Sequence, residues 1–124
     1  FFGRKPLSDM PALFSRSDAL LVSLKKDPIF AKTIPSKVQA YMAAGRPLIA
    51  SLDSVGNQII QEANCGFVAP AEDPQALAAA IEKLLRSSLE KRQEMGINAR
   101  SHFYENYQKD RIIEQIIGYL ERYK

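Results

Sequence analysis

The sequence has very little cysteine, histidine or tryptophan: one, one and none, respectively, in 124 residues. A lone cysteine, Cys65, excludes an internal disulfide and fits a reducing compartment. Cys65 and the single histidine, His102, are too few for a zinc site built from these ligands, so we expect no metal site. Long apolar runs are also missing, and none approaches the roughly 20 residues that a membrane-spanning helix needs.

The charges of the two signs are nearly balanced. There are 17 lysines and arginines against 14 aspartates and glutamates, a formal net charge of +3. This mild excess suits an acidic small ligand or an anionic membrane surface but requires neither. Because the basic residues do not cluster into a stripe, we expect no nucleic-acid partner. The content of 46% hydrophobic and 25% charged residues is ordinary for a globular protein, and the length predicts one domain over residues 1–124.

Short apolar runs alternate with helical patterns along the chain. Residues 19–23 and 48–51 are typical of strands that are covered on both faces, and residues 66–69 predict a further strand. Helical spacing of apolar residues follows at 36–44, 55–63, 74–85, 89–107 with an interruption at Gly96, and 110–123. The pair Phe1 and Phe2 is interpreted as the end of a further strand. Such alternation predicts an α/β domain with an open, doubly wound parallel sheet of the Rossmann-like type.

The chain is organised around residues 33–51, which predict a loop, a short helix, a turn and a buried strand. Pro35 suits the entry to a helix, and Ser36 is a candidate N-cap. Gly45 and Pro47 predict the end of this helix. A helix N-terminus that follows an irregular loop in an α/β protein favours anions, so Ser36 and Lys37 are candidate anion-binding residues.

Ligands of open parallel sheets bind at the carboxyl ends of the strands. Two connections leave from that edge: a long loop at residues 24–34 and the polar turn at residues 53–56. We therefore expect a site assembled from both. Its candidate phosphate contacts are two lysines of the loop and three residues at the next helix start, namely Lys25, Lys26, Ser54, Val55 and Gly56.

Several ordered motifs resemble the C-terminal, donor-binding half of retaining group 1 glycosyltransferases (family four), which are two-domain enzymes of the GT-B type. The match covers nearly the whole chain. Within that family the sequence is most similar to bacterial enzymes that build cell-surface polysaccharides. The residues that carry the resemblance are 19–23, Pro35-Ser-Lys37, Tyr41-Met-Ala-Ala-Gly-Arg-Pro-Leu-Ile-Ala50, 59–60, Glu62-Ala63, Gly66-Phe-Val-Ala-Pro70 and Asp73-Pro-Gln-Ala-Leu77.

The resemblance implies a site for a nucleotide diphosphate sugar. The donor-binding segment carried over from the family is Lys32, Thr33, Ile34, Pro35, Ser36 and Lys37. No cofactor or metal is implied, because the helix N-terminus and basic side chains would neutralise the diphosphate. The implied partners are a glycan or lipid-linked acceptor and an N-terminal half upstream of Phe1. The implied location is the cytoplasm, with peripheral association at the inner face of the membrane as a further expectation.

One departure from the family pattern concerns two glutamates that family members often carry eight positions apart. Counted back from Gly45, these positions hold Lys32 and Ala40 here. Lys32 could instead face the diphosphate or a carboxylated sugar. Two alternatives therefore stay open: a GT-B-type sugar-nucleotide epimerase, and a non-catalytic binding module with the same fold. Catalytic residues are not assigned from the sequence.

Overall fold

The sheet has three parallel strands that pair in chain order. In the computed structural model, which describes residues 3–122, Leu20 of the first strand pairs with Leu48 of the second, and Leu48 pairs with Gly66 of the third. The predicted parallel α/β sheet is confirmed, and the predicted strand at Phe1 and Phe2 lies outside the described residues. The strands are β1 (Leu20–Ser23), β2 (Leu48–Ser51) and β3 (Gly66–Ala69).

The described part of the chain has seven helices, after a short 3₁₀ turn at Leu7–Asp9. Helices α3 and α4 cover one face of the sheet, where Val22, Leu48 and Ala50 are buried, while α5 covers the other face over Ile49. The helices are α1 (Met10–Ser15), α2 (Pro28–Ala31), α3 (Ser36–Ala44), α4 (Val55–Glu62), α5 (Pro74–Arg86), α6 (Leu89–Asn106) and α7 (Lys109–Arg122).

Strand β2 is buried along its whole length, as predicted, but β1 is not. Leu21 is 50% exposed. The reason is that β1 lies at the edge of the sheet in the described residues, and α5 lies mainly over β2 and β3. The expectation that β1 is covered on both faces was therefore wrong for this side chain.

Helix α3 begins one residue earlier than predicted. The N–H of Val38 donates to the carbonyl of Pro35 at 2.9 Å, so Pro35 is the N-cap and Ser36 is the first helical residue. The prediction of Ser36 as N-cap was wrong, because the helical bonding starts at the proline carbonyl. Gly45 ends the helix in the left-handed conformation at φ 67°, as the glycine predicted.

Helix α6 runs without a break through Gly96, so the predicted interruption was wrong. The glycine instead allows close packing against the end of α3: a Cβ at position 96 would lie 2.4 Å from the carbonyl oxygen of Gly45. Arg100, one turn later, donates to the carbonyl of Ala44 at 3.2 Å. A guanidinium at the C-terminus of α3 also complements the helix dipole.

The segment at residues 24–34 is not a plain loop. It contains the one-turn helix α2, which is capped by the Asp27 side chain accepting from the N–H of Ile29 at 2.8 Å. The sequence analysis missed this helix because only one turn separates the cap from Lys32.

The apolar faces of α5 and α7 are less buried than their spacing suggested. Ala80 and Leu84 of α5 are buried, but Leu85 is 70% exposed. On α7 the apolar residues Ile112, Ile113, Ile116, Ile117 and Leu120 are all between 38% and 64% exposed. The predicted last residue of α7, Tyr123, lies outside the described residues.

Candidate functional site

The carboxyl ends of the three strands meet at one edge, where backbone hydrogen bonds continue past the sheet. The N–H of Leu24 donates to the carbonyl of Ser51 at 3.1 Å, and the N–H of Leu52 donates to that of Ala69 at 3.1 Å. The Ser51 hydroxyl donates to the carbonyl of Pro70 at 2.9 Å. The three connections that leave this edge are thus held in fixed positions relative to one another.

A charged cluster joins these connections. The Lys26 ammonium lies 3.6 Å from Asp53 Oδ2, and its backbone N–H donates to Glu72 Oε1 at 3.2 Å. Asp53 Oδ1 accepts from the N–H of Ala71 at 3.0 Å. The Lys26 ammonium is therefore in an ion pair with Asp53. An exposed ion pair of this kind contributes only about 0–1 kcal/mol, so an anion could compete for the lysine. The phosphate contact of Lys26 stays a prediction.

A cavity of about 420 Å³ opens beside this cluster, between the first loop and the start of α5. Lys25, another candidate phosphate contact, lines it together with Ser23, Leu24, Ser51, Glu72, Asp73, Pro74 and Leu77. Sequence reasoning missed the contribution of the loop after β3. The available signal was that β3, like its neighbours, must end at this edge of a parallel sheet.

The start of α4 is built by Ser54 and Gly56. The Ser54 hydroxyl accepts from the N–H of Gly56 at 3.1 Å, so this amide, which we expected to be available to a phosphate, already has a partner. Gly56 is buried, and a Cβ there would lie 3.2 Å from Pro35 Cδ. The structure therefore brings Pro35 and Gly56 together, and with them the N-termini of α3 and α4. Val55 is exposed at this junction.

Asn57 was not singled out from the sequence, yet it ties two strand ends together. Its side-chain amide donates to the carbonyl of Leu52 and, at 3.1 Å, to that of Ala69. Its Oδ1 atom is buried without a hydrogen-bond partner in the described residues. Leaving a buried acceptor unpaired costs about 1–3 kcal/mol of folding free energy, so this oxygen locally destabilises the fold next to the site.

The remaining residues of the predicted donor segment lie on the surface around α3. Ile34 is half-buried against the core, while the side chains of Lys32, Ser36 and Lys37 are exposed. The Thr33 hydroxyl donates to the carbonyl of Phe30 at 3.1 Å, which fixes the loop before Ile34. Neither lysine takes part in an ion pair within residues 3–122. Their role in donor binding stays a prediction.

Cys65 is unsuited to nucleophilic chemistry. Its side chain is buried, its Sγ lies 3.6 Å from the carbonyl of Ile60, and burial raises the pKa of the thiol to about 12. The thiolate is therefore scarce at neutral pH. His102 lies far along α6, beside the ring of Tyr107 at 5.8 Å between ring centres. Across residues 3–122, no three or more His, Cys, Asp or Glu side chains form a group that could hold a metal ion.

Comparison with known proteins identifies the family. The family model for group 1 glycosyl transferases matches residues 1–102. The chain belongs to this family. A probable glycosyltransferase, WbjE of Pseudomonas aeruginosa, is 32% identical over 109 residues, which cover 86% of this chain and 26% of the relative. No solved structure matches the chain significantly.

Two further relatives match nearly the whole chain. Spore coat protein SA of Bacillus subtilis is 30% identical over 92% of the chain and 29% of its own length. A putative colanic acid biosynthesis glycosyltransferase, WcaL of Salmonella typhimurium, is 24% identical over 96% of the chain and 30% of its own length. The chain thus spans between a quarter and a third of the curated relatives it matches. The described helices include none that is both long and apolar enough to cross a bilayer.

Proposed function

We propose that this chain is the donor-binding part of a glycosyltransferase that transfers a sugar from a nucleotide diphosphate sugar to a glycan or lipid-linked acceptor. The observation that carries the proposal is that Pro35 lies beside Gly56, so close that a Cβ on the glycine would meet the proline ring, in a member of a glycosyltransferase family. This proximity puts the N-termini of α3 and α4 near each other at the carboxyl edge of the sheet. Both helix dipoles then present partial positive charge to the same region.

The proposed site holds the diphosphate by charge rather than by a metal or cofactor. Lys37 and Ser36 lie on the first turn of α3, and Lys32 and Thr33 lie in the segment just before it. Lys25 and Lys26 add positive charge from the loop after β1, and Ser54 and Val55 lie at the start of α4. As the bond between sugar and diphosphate breaks, negative charge develops on the leaving group. Donors fixed in advance around that group lower the barrier.

The binding site for the acceptor and the rest of the cleft are formed, in this proposal, by sequence outside this chain. The curated relatives are three to four times longer than the region they share with it, which supports an N-terminal half that binds the acceptor. One relative is named for colanic acid biosynthesis, which supports a role in bacterial surface polysaccharide. We place the enzyme in the cytoplasm, with peripheral association at the inner face of the membrane.

The proposal is tested by measuring how uridine, guanosine and adenosine diphosphates bind to the intact protein. Lys37→Ala and Ser36→Ala should each weaken the binding of the preferred nucleotide. The lysine substitution should weaken it by about tenfold, because a hydrogen bond to a charged group contributes about 1.5–3 kcal/mol. Lys83→Ala on α5 removes the same charge from an exposed helical lysine away from the strand ends, and should leave binding unchanged. If neither α3 variant weakens binding, the proposed phosphate site is wrong.

A non-catalytic binding module is the second candidate. Lys32 and Ala40 favour it, because they stand where the family often carries acids. Incubating the intact protein with radiolabelled nucleotide sugar and an acceptor extract separates the cases. Transfer of label to acceptor supports the enzyme, free epimerised sugar nucleotide indicates an epimerase, and tight binding without turnover favours the module.

A further inference from the structure

A second cavity lies at the opposite, amino edge of the sheet. It has a volume of about 470 Å³ and lies between the turn from α3 to β2 and one side of α6. Asp18 and Pro47, which come just before β1 and β2, are among its lining residues. Four-residue strands separate this edge from the carboxyl edge by about 10 Å. The cavity is therefore distinct from the proposed donor site.

Three arginines line this cavity, Arg46, Arg92 and Arg100, against one acidic residue, Asp18. Their charges sum to +3 − 1 = +2. None of these arginines takes part in an ion pair within residues 3–122. A concentration of unpaired guanidinium groups around a cavity creates a positive potential that attracts anions.

Two of the arginines have a structural role that explains part of their presence. Arg46 donates to the carbonyl of Ser15 at the end of α1, and Arg100 donates to the carbonyl of Ala44 at the end of α3. A guanidinium carries five N–H donors, so each recorded bond uses only one of them. These contacts also hold the two side chains in place at the cavity wall.

Arg92 has no such explanation. Its Nε atom is buried and has no hydrogen-bond partner in the described residues. Because Nε has almost no accessible surface, a ligand in the cavity could reach only the terminal nitrogens of Arg92, which form no ion pair within the described residues. The planar guanidinium fork matches the oxygens of a phosphate in a two-point contact.

We propose that this cavity binds a phosphate monoester, with Arg92 contacting the phosphate between Arg46 and Arg100. The volume is within the range of small-molecule sites and exceeds what a bare phosphate ion fills. Leu89 and Ile97, which also line the cavity, are 59% and 67% exposed and offer an apolar surface to the organic group of the ester. The proposal is independent of the proposed function, because it uses none of the donor-site residues.

Glycerol 3-phosphate is the probe, and glycerol at equal ionic strength is the reference. Calorimetric titration of the intact protein should show saturable binding of the phosphate ester and none of glycerol. Arg92→Gln should weaken it by about tenfold. Arg86→Gln, the same charge change on α5 outside the cavity, should alter it less than twofold. Absence of saturable binding, or equal weakening by both variants, would overturn the proposal.

Folding and ligand source are controlled separately. Arg92→Lys keeps the charge but loses the planar fork, so it should weaken glycerol 3-phosphate binding even if Arg92→Gln fails to fold; full binding by a folded Arg92→Lys overturns the role of the fork. Vesicles of phosphatidylcholine with and without phosphatidic acid identify the source. If the protein sediments with phosphatidic acid vesicles and Arg92→Lys weakens this sedimentation, the ligand is a lipid headgroup. If the protein binds only the soluble ester, the ligand is a metabolite. Lys37→Ala should leave both readouts unchanged, which separates this cavity from the donor site.

Discussion

Helices α6 and α7 each carry a glycine in their interior, and the two glycines have opposite surroundings. Gly96 of α6 is buried, and a Cβ there would meet the Gly45 carbonyl oxygen at 2.4 Å. Gly118 of α7 is exposed, and a Cβ there would meet nothing within 4 Å. The same residue type in the same secondary structure is thus a packing requirement in one helix and a local weakness in the other.

The difference follows from what each helix packs against. Helix α6 returns along α3, and Ala99 on its inner side is fully buried in the main core. Helix α7 makes its main contacts with α6, and its isoleucines stay largely exposed. Helical periodicity reports that one face of a helix is apolar. It does not report whether the surface that covers this face is part of the same chain.

The largest expected effect comes from truncating a buried apolar residue of α3, the helix against which α6 packs, in place of an exposed apolar residue of α7. Met42 on α3 is fully buried, so Met42→Ala should lower the free energy of unfolding by about 2–5 kcal/mol. Ile116→Ala on α7 should lower it by less than about 1 kcal/mol. Urea unfolding followed by circular dichroism measures both. Equal losses would show that the α7 face is covered after all.

Gly96→Ala should destabilise the chain by about 1–3 kcal/mol in the same measurement. The added methyl group would overlap with the backbone of the α3 turn, which cannot move aside as a flexible side chain would. The gain in helix propensity on replacing glycine, at most about 1 kcal/mol, offsets only part of this cost. Unchanged stability would mean that α6 and α3 are farther apart in solution.

Gly118→Ala should have the smallest effect and the opposite sign. With open space around the position, alanine should stabilise α7 by about 0.5–1 kcal/mol, because it restricts the unfolded backbone and favours helix. The unfolding midpoint should rise in a urea titration that includes Gly96→Ala as the paired comparison. A destabilised Gly118→Ala protein would reveal a surface packed closely against this side of α7.

Local chemistry made much of the fold predictable. The three strands and the end of α3 at Gly45 were predicted correctly from neighbouring residues. Errors also had local causes. The bonding of α3 starts at Pro35 instead of Ser36, and α2 is too short to leave a clear pattern.

The candidate site was predictable only in outline. Parallel strands must end at one edge, so the sequence indicated that the loops after β1 and β2 would meet there. It did not indicate that Lys26 would bond to Glu72, 46 residues away, or that Asn57 would join the ends of β2 and β3. Nor did it indicate that the Ser54 hydroxyl would accept a hydrogen bond from the N–H of Gly56.

By itself the sequence determined the α/β class, the three strands with the longer helices between and after them, and the motifs of a group 1 glycosyltransferase. Propensity, capping and turn chemistry act over a few residues, and the alternation of strands and helices leaves few topologies. Only the tertiary structure decided that Pro35 lies beside Gly56, that three arginines line the second cavity, and that Gly96 is buried while Gly118 is open. These are contacts between residues distant in sequence, and they depend on how the elements pack.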